Sequence, residues 1–481
     1  DFIIRVGTFV FDDVSILARK ENIMKFEIVD FISKLVSFKS VSADSNYADE
    51  VRKCAEFLTE SLCDFGFSAK LHNTKLHPII FAESKCKSGS PKIRILCYGH
   101  YDVQPIDPIE KWKTPPFEAT LVDGKLMGRG TADNKGPFAC LLGGLLAYLE
   151  KNPDTPIDFG IMLEGEEEIG SPNMCEFVEK NAELISSYDM LLLSDTSSAT
   201  RDTPILTIGL RGTGSFDAVF KGPNTDIHSG MFGGMVYNPI QAMFEVCASL
   251  HDENGFVNIP NFYDGLEKLA DWERAEIAKN PFGENDVMQL LGVKSLYKQK
   301  GYLPSEAVRV LPTVEITGVG GGYQGEGSKS VIASECFCKF CCRTVAPQKT
   351  KDVIMAVEEA IRERTPAGVE VSFINYDSYG DAYFLNPESF GDDRRGQILK
   401  KAFASVANSS KEAFGNEPIL LREGASIPLI SLIKSQTGLD SLMLGLFTAE
   451  DNLHAPNEGF PIETIQKAQK YYELFFQSIL K

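Results

Sequence analysis

Apolar and polar residues alternate in blocks between residues 90 and 200, and these blocks predict strands and helices in turn. The short apolar runs "IRILCY", "DFGIML" and "DMLLLS" are typical of buried strands. Between them, "GPFACLLGGLLAYLEK" and "SPNMCEFVEKNAELI" have the apolar spacing of helices. Strands that alternate with helices favour a parallel sheet covered by helices. The pattern therefore predicts an α/β fold for this part of the chain.

The pattern changes near residue 204, where segments typical of strands outnumber helices. Strands are predicted for "PILTIGL", "SFDAVFKG", "VRVLPTVEITGV", "KSVIASECFCKF" and "GVEVSFINY", and helices for "PIQAMFEVCASL" and "KTKDVIMAVEEAIRER". Near residue 385 the α/β pattern returns with "GQILKKAFASVAN", "LMLGLF" and "ETIQKAQKYYELFFQSIL". Insertion of one domain into another needs only neighbouring ends in the host. We therefore predict a catalytic domain in two segments, 24–208 and 385–481, around an inserted α+β domain, 209–384.

Composition narrows the class of function. The chain has 481 residues, of which 43% are hydrophobic and 24% charged, as in a soluble globular enzyme with more than one domain. Its net charge of −19 disfavours nucleic acid and anionic membrane surfaces as partners, and no apolar stretch is long enough to span a bilayer. We therefore expect chemistry on a small molecule or peptide, with no nucleic-acid or membrane partner.

The 11 cysteines lie scattered in apolar segments, which predicts reduced core residues and a cytoplasmic location. The densest group, "CFCKFCC", could instead hold a metal, but Cys336, Cys338 and Phe340 alternate as on a buried strand, which we favour. Residues 1–23 lack the pattern of a secretory signal and are left out of the functional reasoning. Met24, followed by apolar residues at helical spacing, is our hypothesis for the natural start.

Candidate metal ligands follow the predicted strands. His100 ends the first strand, the acidic run "LEGEEEIGSP" follows the second, and Asp195 ends the third. The acidic run alone is more typical of a solvated turn, but ligands gather at the carboxyl ends of strands in such sheets. Asp102 lies two residues after His100, on the same side of the strand, and could orient its imidazole.

Two imidazoles and three carboxylates could form one site. One carboxylate that bridges two ions, each also bound by one histidine and one further carboxylate, would use the whole set, and zinc or manganese suits such ligands. A phosphate-binding loop in "GVGGGYQGEGSKS" is rejected, because its lysine and serine fall one position late. The candidate ligands are His100, Asp133, Glu168, Asp195 and His454.

Eight motifs in order resemble those of the carnosinase and aminoacylase family of two-metal peptidases, and the cytosolic dipeptidases in particular. The resemblance runs from about residue 27 to 479. It implies a zinc-peptidase-like catalytic domain with a central, mostly parallel sheet, interrupted by a lid and dimerisation domain, and two divalent ions per subunit, zinc first and manganese as the alternative. The motifs are "GHYDVQP", "GRGTADNKGP", "LEGEEEIGS", "LLSDT", "GLRG", "DIHSGMFGG", "LREGASIP" and "HAPNE".

The resemblance also implies catalytic roles. Glu167 matches the general base and Asp102 the residue that supports His100, while Glu164 and Glu166 are left as supporting or solvated groups. A cis peptide bond is implied after Asp133. The metal ligands that it implies are His100, Asp133 and Asp195 for one ion, and Asp133, Glu168 and His454 for the other.

The implied reaction is hydrolysis of the amide bond of a dipeptide or short peptide with a free terminal carboxylate, by a bridging water activated between the metals. His228 matches a histidine that acts across the interface of a homodimer. An N-acyl amino acid deacylase of the same family is the alternative, and an inactive metal-binding module a second one. The cradle for the terminal carboxylate is matched by Arg343, Ser330, Gly424 and Ser426, although Arg343 without its motif would be read as a surface arginine.

Three positions depart from many dipeptidases. Asn134 stands where they have a second aspartate, and Ser330 stands where they have threonine. Ala425 replaces a glycine in the loop near the substrate carboxylate, and it narrows the backbone freedom of that loop. None of these changes removes a ligand or the base, so they bear on specificity.

Overall fold

The structure is a computed structural model, and it describes residues 26–87 and 89–481. The hypothesis for Met24, and residues 1–23, lie outside them. The helices are α1 (Ile28–Ser37), α2 (Ala48–Asp64), α3 (Lys135–Lys151), α4 (Pro172–Lys180), α5 (Ala182–Ser186), α6 (Ser229–Phe232), α7 (Pro239–Ser249), α8 (Asp271–Ala278), α9 (Glu284–Leu291), α10 (Pro304–Val310), α11 (Thr350–Arg364), α12 (Arg394–Phe414), α13 (Pro428–Thr437) and α14 (Ile462–Ser478). The strands are β1 (Ser68–His72), β2 (Ile79–Ser84), β3 (Ile93–His100), β4 (Thr120–Val122), β5 (Lys125–Met127), β6 (Ile157–Glu164), β7 (Met190–Ser197), β8 (Ile205–Leu210), β9 (Gly212–Lys221), β10 (Ile227–His228), β11 (Thr313–Gly321), β12 (Val331–Ile332), β13 (Glu335–Thr344), β14 (Glu370–Gly380), β15 (Tyr383–Phe384), β16 (Ile419–Glu423), β17 (Ser441–Phe447) and β18 (Gly459–Pro461).

A nine-stranded sheet forms the larger part of the fold. Its order is β1-β2-β6-β3-β7-β17-β8-β15, with β16 also paired to β8. The central strands β6, β3, β7 and β17 are parallel, and antiparallel pairs lie at both ends. His100 pairs with Glu164, so β3 and β6 end side by side. The predicted α/β fold is confirmed, and the pairing places the acidic run next to His100.

The helices around this sheet follow their apolar patterns closely. α3 is buried on nearly all sides and packs against α14, β3 and β7, as expected for a helix in the middle of a layered fold. The predicted helix over "SPNMCEFVEKNAELI" is two helices, because Asn181 leaves the helical conformation and its side-chain amide donates to the carbonyl of Phe177 at 2.8 Å. Within the described part of the chain, no helix combines the length and apolar character needed to cross a membrane.

A four-stranded antiparallel sheet, β11-β13-β9-β14, has its own hydrophobic core with α7 and α11. On β13 the side chains of Cys336, Cys338, Phe340 and Cys342 are buried and their neighbours are more exposed, which confirms the strand interpretation of the cysteine group. All cysteines of the described residues are free thiols.

Two strand predictions need correction. The segment "PILTIGL" forms β8 of the nine-stranded sheet and does not belong with the strands that follow it. The segment "VRVLPTVEITGV" begins inside α10, because Pro304 favours a helix start and Pro312 delays the strand to Thr313. β8 pairs with β15 through Leu210 and Tyr383, so the chain leaves and re-enters the nine-stranded sheet at neighbouring positions.

Candidate metal centre

One group of candidate ligands lies at the carboxyl edge of the nine-stranded sheet. The Nε2 atom of His100 lies 3.2 Å from Asp133 Oδ1 and 3.7 Å from Asp195 Oδ2. His100 ends β3 and Asp195 lies on β7, which pairs with β3, whereas Asp133 comes from the turn before α3. The three side chains offer ligand atoms within 4.8 Å of one another.

A second group shares Asp133 with the first. His454 Nε2 lies 2.8 Å from Asp133 Oδ2 and 3.3 Å from Glu168 Oε2, and these three residues also offer ligand atoms within 4.8 Å of one another. His454 is 54% exposed, unlike the fully buried His100. One oxygen of Asp133 thus faces each histidine, which is the geometry of a bridging carboxylate. The peptide bond between Asp133 and Asn134 is cis, as the resemblance implies.

Asp102 links the first group to the acidic run. Its Oδ1 lies 3.2 Å from His100 Nδ1, and its carboxylate also accepts from the backbone N–H groups of Glu167 at 3.3 Å and Glu168 at 3.1 Å. One buried carboxylate therefore orients the imidazole and holds the turn that carries the proposed base.

The two other glutamates of the run are buried supports, and neither is a solvated group. Glu164 accepts from Tyr98 at 2.7 Å and from Ser171 at 2.9 Å. Glu166 accepts from the backbone N–H groups of His77 at 2.8 Å and Asn173 at 3.0 Å. The acidic run is therefore divided between two buried structural carboxylates and two that face the cluster.

Glu458 is a residue of the candidate site that the sequence analysis did not identify. It is fully buried, and its Oε1 accepts from the backbone N–H groups of Ala132 at 2.8 Å and Asp133 at 3.1 Å. Its Oε2 accepts from Arg129 at 2.8 Å and from the N–H of Gly130 at 2.9 Å. Four donors thus anchor the turn that presents Asp133. The sequence offered one signal for Glu458, because it ends the motif "HAPNE", four residues after the candidate ligand His454.

Two amides complete the support of the ligands. Asn134 donates to Asp195 Oδ1 at 3.0 Å and to the carbonyl of Ser194 at 2.6 Å. Gln104 donates to Glu168 Oε2 at 2.8 Å. Many dipeptidases have an aspartate in place of Asn134. Asn134 therefore donates a hydrogen bond to the carboxylate of Asp195, whereas an aspartate would add negative charge beside it.

Electrostatics indicate what the cluster can hold. Burial raises the pKa of Glu168 to about 9 and that of Asp195 to about 6, with Asp133 adding to both and His100 opposing. Burial also raises the pKa of Glu167 well above its usual range, against the effect of His100. Crowded buried carboxylates are stabilised by nearby cations. Carboxylate and imidazole donors without thiolate fit two zinc or manganese ions.

The residues of the expected carboxylate cradle meet in part. Arg343 on β13 donates to Ser426 Oγ at 2.7 Å. Arg211, from the "GLRG" motif, was given no role by the sequence, yet its Nε donates to the Gly424 carbonyl at 2.8 Å. Burial, and then the charge of Arg343, lowers the pKa of Arg211 to about 10. Two guanidinium groups therefore bracket the loop that carries Gly424 and Ser426.

His228 and Ser330 lie together but apart from this cradle. His228 pairs with Val331 in the short β10–β12 ribbon, and the N–H of Ser229 donates to the Ser330 carbonyl at 3.2 Å. Both His228 and Ser330 are exposed. Among the described residues, His228 makes no hydrogen bond to the metal cluster; its Nδ1 accepts from the N–H of Gly230.

Comparisons with known proteins agree with the motifs. The model of peptidase family M20/M25/M40 matches residues 96–478. A Cys-Gly metallodipeptidase of Candida albicans is 28% identical over 457 residues, which cover 90% of this chain and 91% of that protein. A beta-Ala-His dipeptidase of Mus musculus is 29% identical over 411 residues, 84% of this chain and 80% of that protein. The structure of an M20 family metallo-carboxypeptidase from Sulfolobus solfataricus matches with a TM-score of 0.79 and 27% identity, covering 94% of this chain and 99% of that one.

Proposed function

The chain belongs to peptidase family M20/M25/M40 and is a metallopeptidase, and we propose that it hydrolyses dipeptides or short peptides with a free terminal carboxylate. The observation that carries this proposal is the shared carboxylate. Asp133 directs one oxygen to each histidine, and Glu167, which belongs to neither ligand group, lies beside the cluster. The named dipeptidase relatives support the substrate class.

The proposed mechanism assigns the proton transfers to Glu167. When bound, two divalent ions would polarise the amide carbonyl and lower the pKa of water. The Glu167 carboxylate accepts the proton of the attacking water and returns it to the leaving amine nitrogen. Glu167 is suited to this role because it belongs to neither ligand group and lies next to Glu168 in the turn beside the cluster. The Asp102 carboxylate holds Glu167 in place by accepting a hydrogen bond from the backbone N–H of Glu167.

Recognition of the substrate is assigned to the cradle. A guanidinium can donate two parallel hydrogen bonds to a planar carboxylate, which suits Arg343 for the terminal carboxylate. Gly424 and Ser426 lie in the same loop. Ser330 is proposed to bind the same carboxylate, although in the single chain it lies beside the β10–β12 ribbon and makes no hydrogen bond to this loop. A free carboxylate at the end of the substrate is therefore the feature that the cradle selects.

His228 is proposed to act in a homodimer, on the active site of the partner. Support comes from the segment that follows it, because Met231 and Met235 are 70% and 77% exposed. Large apolar side chains exposed close together are typical of interaction sites. In the dimer, His228 would donate a hydrogen bond to the carbonyl oxygen of the scissile amide.

Three further properties belong to the proposal. Zinc is the expected metal and manganese the alternative, on the chemistry of the donors. A cytoplasmic location is proposed from the free cysteines of the described residues. The division into 24–208 and 385–481 around an inserted 209–384 is proposed from the separate cores, and the paired strands β8 and β15 of the nine-stranded sheet mark the two junctions.

Metal removal and a substrate panel test the function. The protein is stripped with a chelator, reloaded with zinc or manganese, and assayed on dipeptides and on N-acyl amino acids. Hydrolysis of dipeptides that is lost on stripping and restored on reloading is expected. Cleavage of N-acyl amino acids alone would make the protein a deacylase, and no cleavage of any compound would make it an inactive metal-binding module.

A further inference from the structure

Arg211 connects the junction of the two sheets to the loop of the proposed cradle. It lies between β8 and β9, where the chain leaves the nine-stranded sheet for the four-stranded one. Its backbone N–H donates to the Ala425 carbonyl at 3.0 Å, and its Nε donates to the Gly424 carbonyl at 2.8 Å. Because a peptide unit is planar, these two bonds fix the orientation of the two peptide units that lead to Ser426.

The cradle loop, residues 424–426, is held by two arginine side chains. It lies outside the strands and helices, between the end of β16 and the start of α13. Within the described part of the chain, Arg343 is the one residue besides Arg211 whose side chain hydrogen-bonds to this loop, through Ser426 Oγ. The Arg211 side chain lies directly against the loop, because a Cβ placed on Gly424 would be 3.2 Å from Arg211 Nη2. The position of the Ser426 hydroxyl, and its contact with Arg343, therefore depend on Arg211.

The charges beside the cradle loop favour an anionic group there. Arg211 and Arg343 each donate to a neutral acceptor, and neither forms an ion pair with another of the described residues. Glu315 attracts Arg211 only from beyond ion-pair distance, while burial and the charge of Arg343 lower the pKa of Arg211. A nearby negative charge stabilises such half-buried cations. The carboxylate of a substrate would supply this charge.

We propose that Arg211 is a positioning residue of the carboxylate cradle, which holds the cradle loop in the conformation that lets Ser426 and Arg343 bind the terminal carboxylate of the substrate. The inference rests on the proposed function, because the cradle must bind that carboxylate. Loss of the Arg211 side chain leaves the Gly424 carbonyl without its donor, so KM should rise by roughly 10- to 100-fold with a smaller change in kcat. Bound metal should be unchanged, since Arg211 belongs to neither ligand group.

The test measures kcat, KM and bound metal for Arg211→Met and Arg211→Lys, with Ala-Ala as the substrate. Methionine removes both the charge and the donors, whereas lysine keeps the charge but loses the guanidinium fork. Arg364→Met is the matched control, because Arg364 is also half-buried and donates to a backbone carbonyl, that of Ser249 at 2.7 Å, outside the cradle loop. Arg211→Met is also combined with Arg343→Met, since residues that act on one carboxylate through one loop should have coupled effects on KM.

The expected result is a KM that rises most in Arg211→Met, less in Arg211→Lys and not in Arg364→Met. In the combined variant, KM should rise by less than the product of the two single rises. A wild-type KM in either Arg211 variant, or single effects that multiply, would overturn the positioning role alone. If Arg211→Met does not fold, Arg211→Lys takes its place in the combined variant and the same comparison decides. Failure of the wild type to hydrolyse any dipeptide would instead overturn the proposed function, and the role of Arg211 with it.

Discussion

The candidate metal ligands and the proposed substrate-binding residues are assembled in opposite ways. His100, Asp133 and Asp195 come together within one chain, largely buried and held by neighbouring carboxylates and amides. His228 and Ser330 lie exposed on a two-stranded ribbon, without hydrogen bonds to that cluster in the described part of the chain. In our proposal the activation of water is therefore a property of the single chain, whereas binding of the substrate depends on residues of the insert and of the second segment and on a second subunit.

The largest effect on the rate is expected from a change of the proposed base, Glu167, which belongs to the candidate metal cluster's side of this comparison. Glu167→Gln removes the proton acceptor but no ligand, so the rate should fall by roughly 10²- to 10⁴-fold while two ions remain bound. Rate measurements and metal analysis of the same preparation check both parts. A variant without bound metal would show that Glu167 and Glu168 had been assigned the wrong roles.

The second prediction concerns the exposed ribbon. His228→Ala should lower the rate by roughly 10²- to 10³-fold, the usual value of one donor to a developing oxyanion, and keep both ions. In a mixed dimer of His228→Ala and Glu167→Gln, one active site has both groups intact. With random pairing, about half of the dimers are mixed and one of their two sites works, so activity should return to about a quarter of wild type.

Subunit exchange must be measured in the same mixture, for example with two differently tagged chains. If exchange occurs and the mixture stays as inactive as its parents, His228 does not act across an interface. The exposure of His228 and Ser330, in contrast to the buried candidate ligands, would then need another explanation.

The third prediction tests the cradle. Arg343→Met removes a charge-assisted contact of about 1.5–3 kcal/mol, so KM should rise by roughly 10- to 150-fold with a smaller change in kcat. A substrate with an amidated terminus serves as the control, because it lacks the carboxylate. An equal loss on both substrates would show that Arg343 does not bind the terminal carboxylate.

The smallest effect is expected from Glu458, which acts on the cluster through the backbone. The Glu458 carboxylate accepts four hydrogen bonds, and Glu458→Gln would place an amide N–H₂ donor against those donors. The turn that carries Asp133 would then be held less firmly, so metal affinity should fall by roughly 10- to 100-fold. Glu273→Gln is the matched control, since Glu273 is also buried and paired with an arginine, Arg422, but belongs to neither ligand group. Calorimetric metal titration separates the two variants, and equal losses would reduce Glu458 to a general structural role.

The sequence predicted the central strands because apolar periodicity is a local property. It missed α8, α9 and the start of α10, whose sequences are short and mixed in polarity. It also grouped β8 with the insert, because a short apolar run does not reveal which sheet it joins. The candidate ligands could be identified from the sequence because these histidine and carboxylate residues follow strand ends or lie in recognisable motifs.

What the sequence determined by itself was the order of the central strands and the helices between them, the family resemblance and the chemical types of the candidate ligands, since each depends on residues close together in the chain. Only the tertiary structure decided the division of the acidic run, where Glu164 and Glu166 are buried supports and Glu168 faces His454. It also decided the anchoring of Asp133 by Glu458, 325 positions away. Such contacts depend on strand register and on the turn of the backbone, which bring distant donors and acceptors within hydrogen-bond distance.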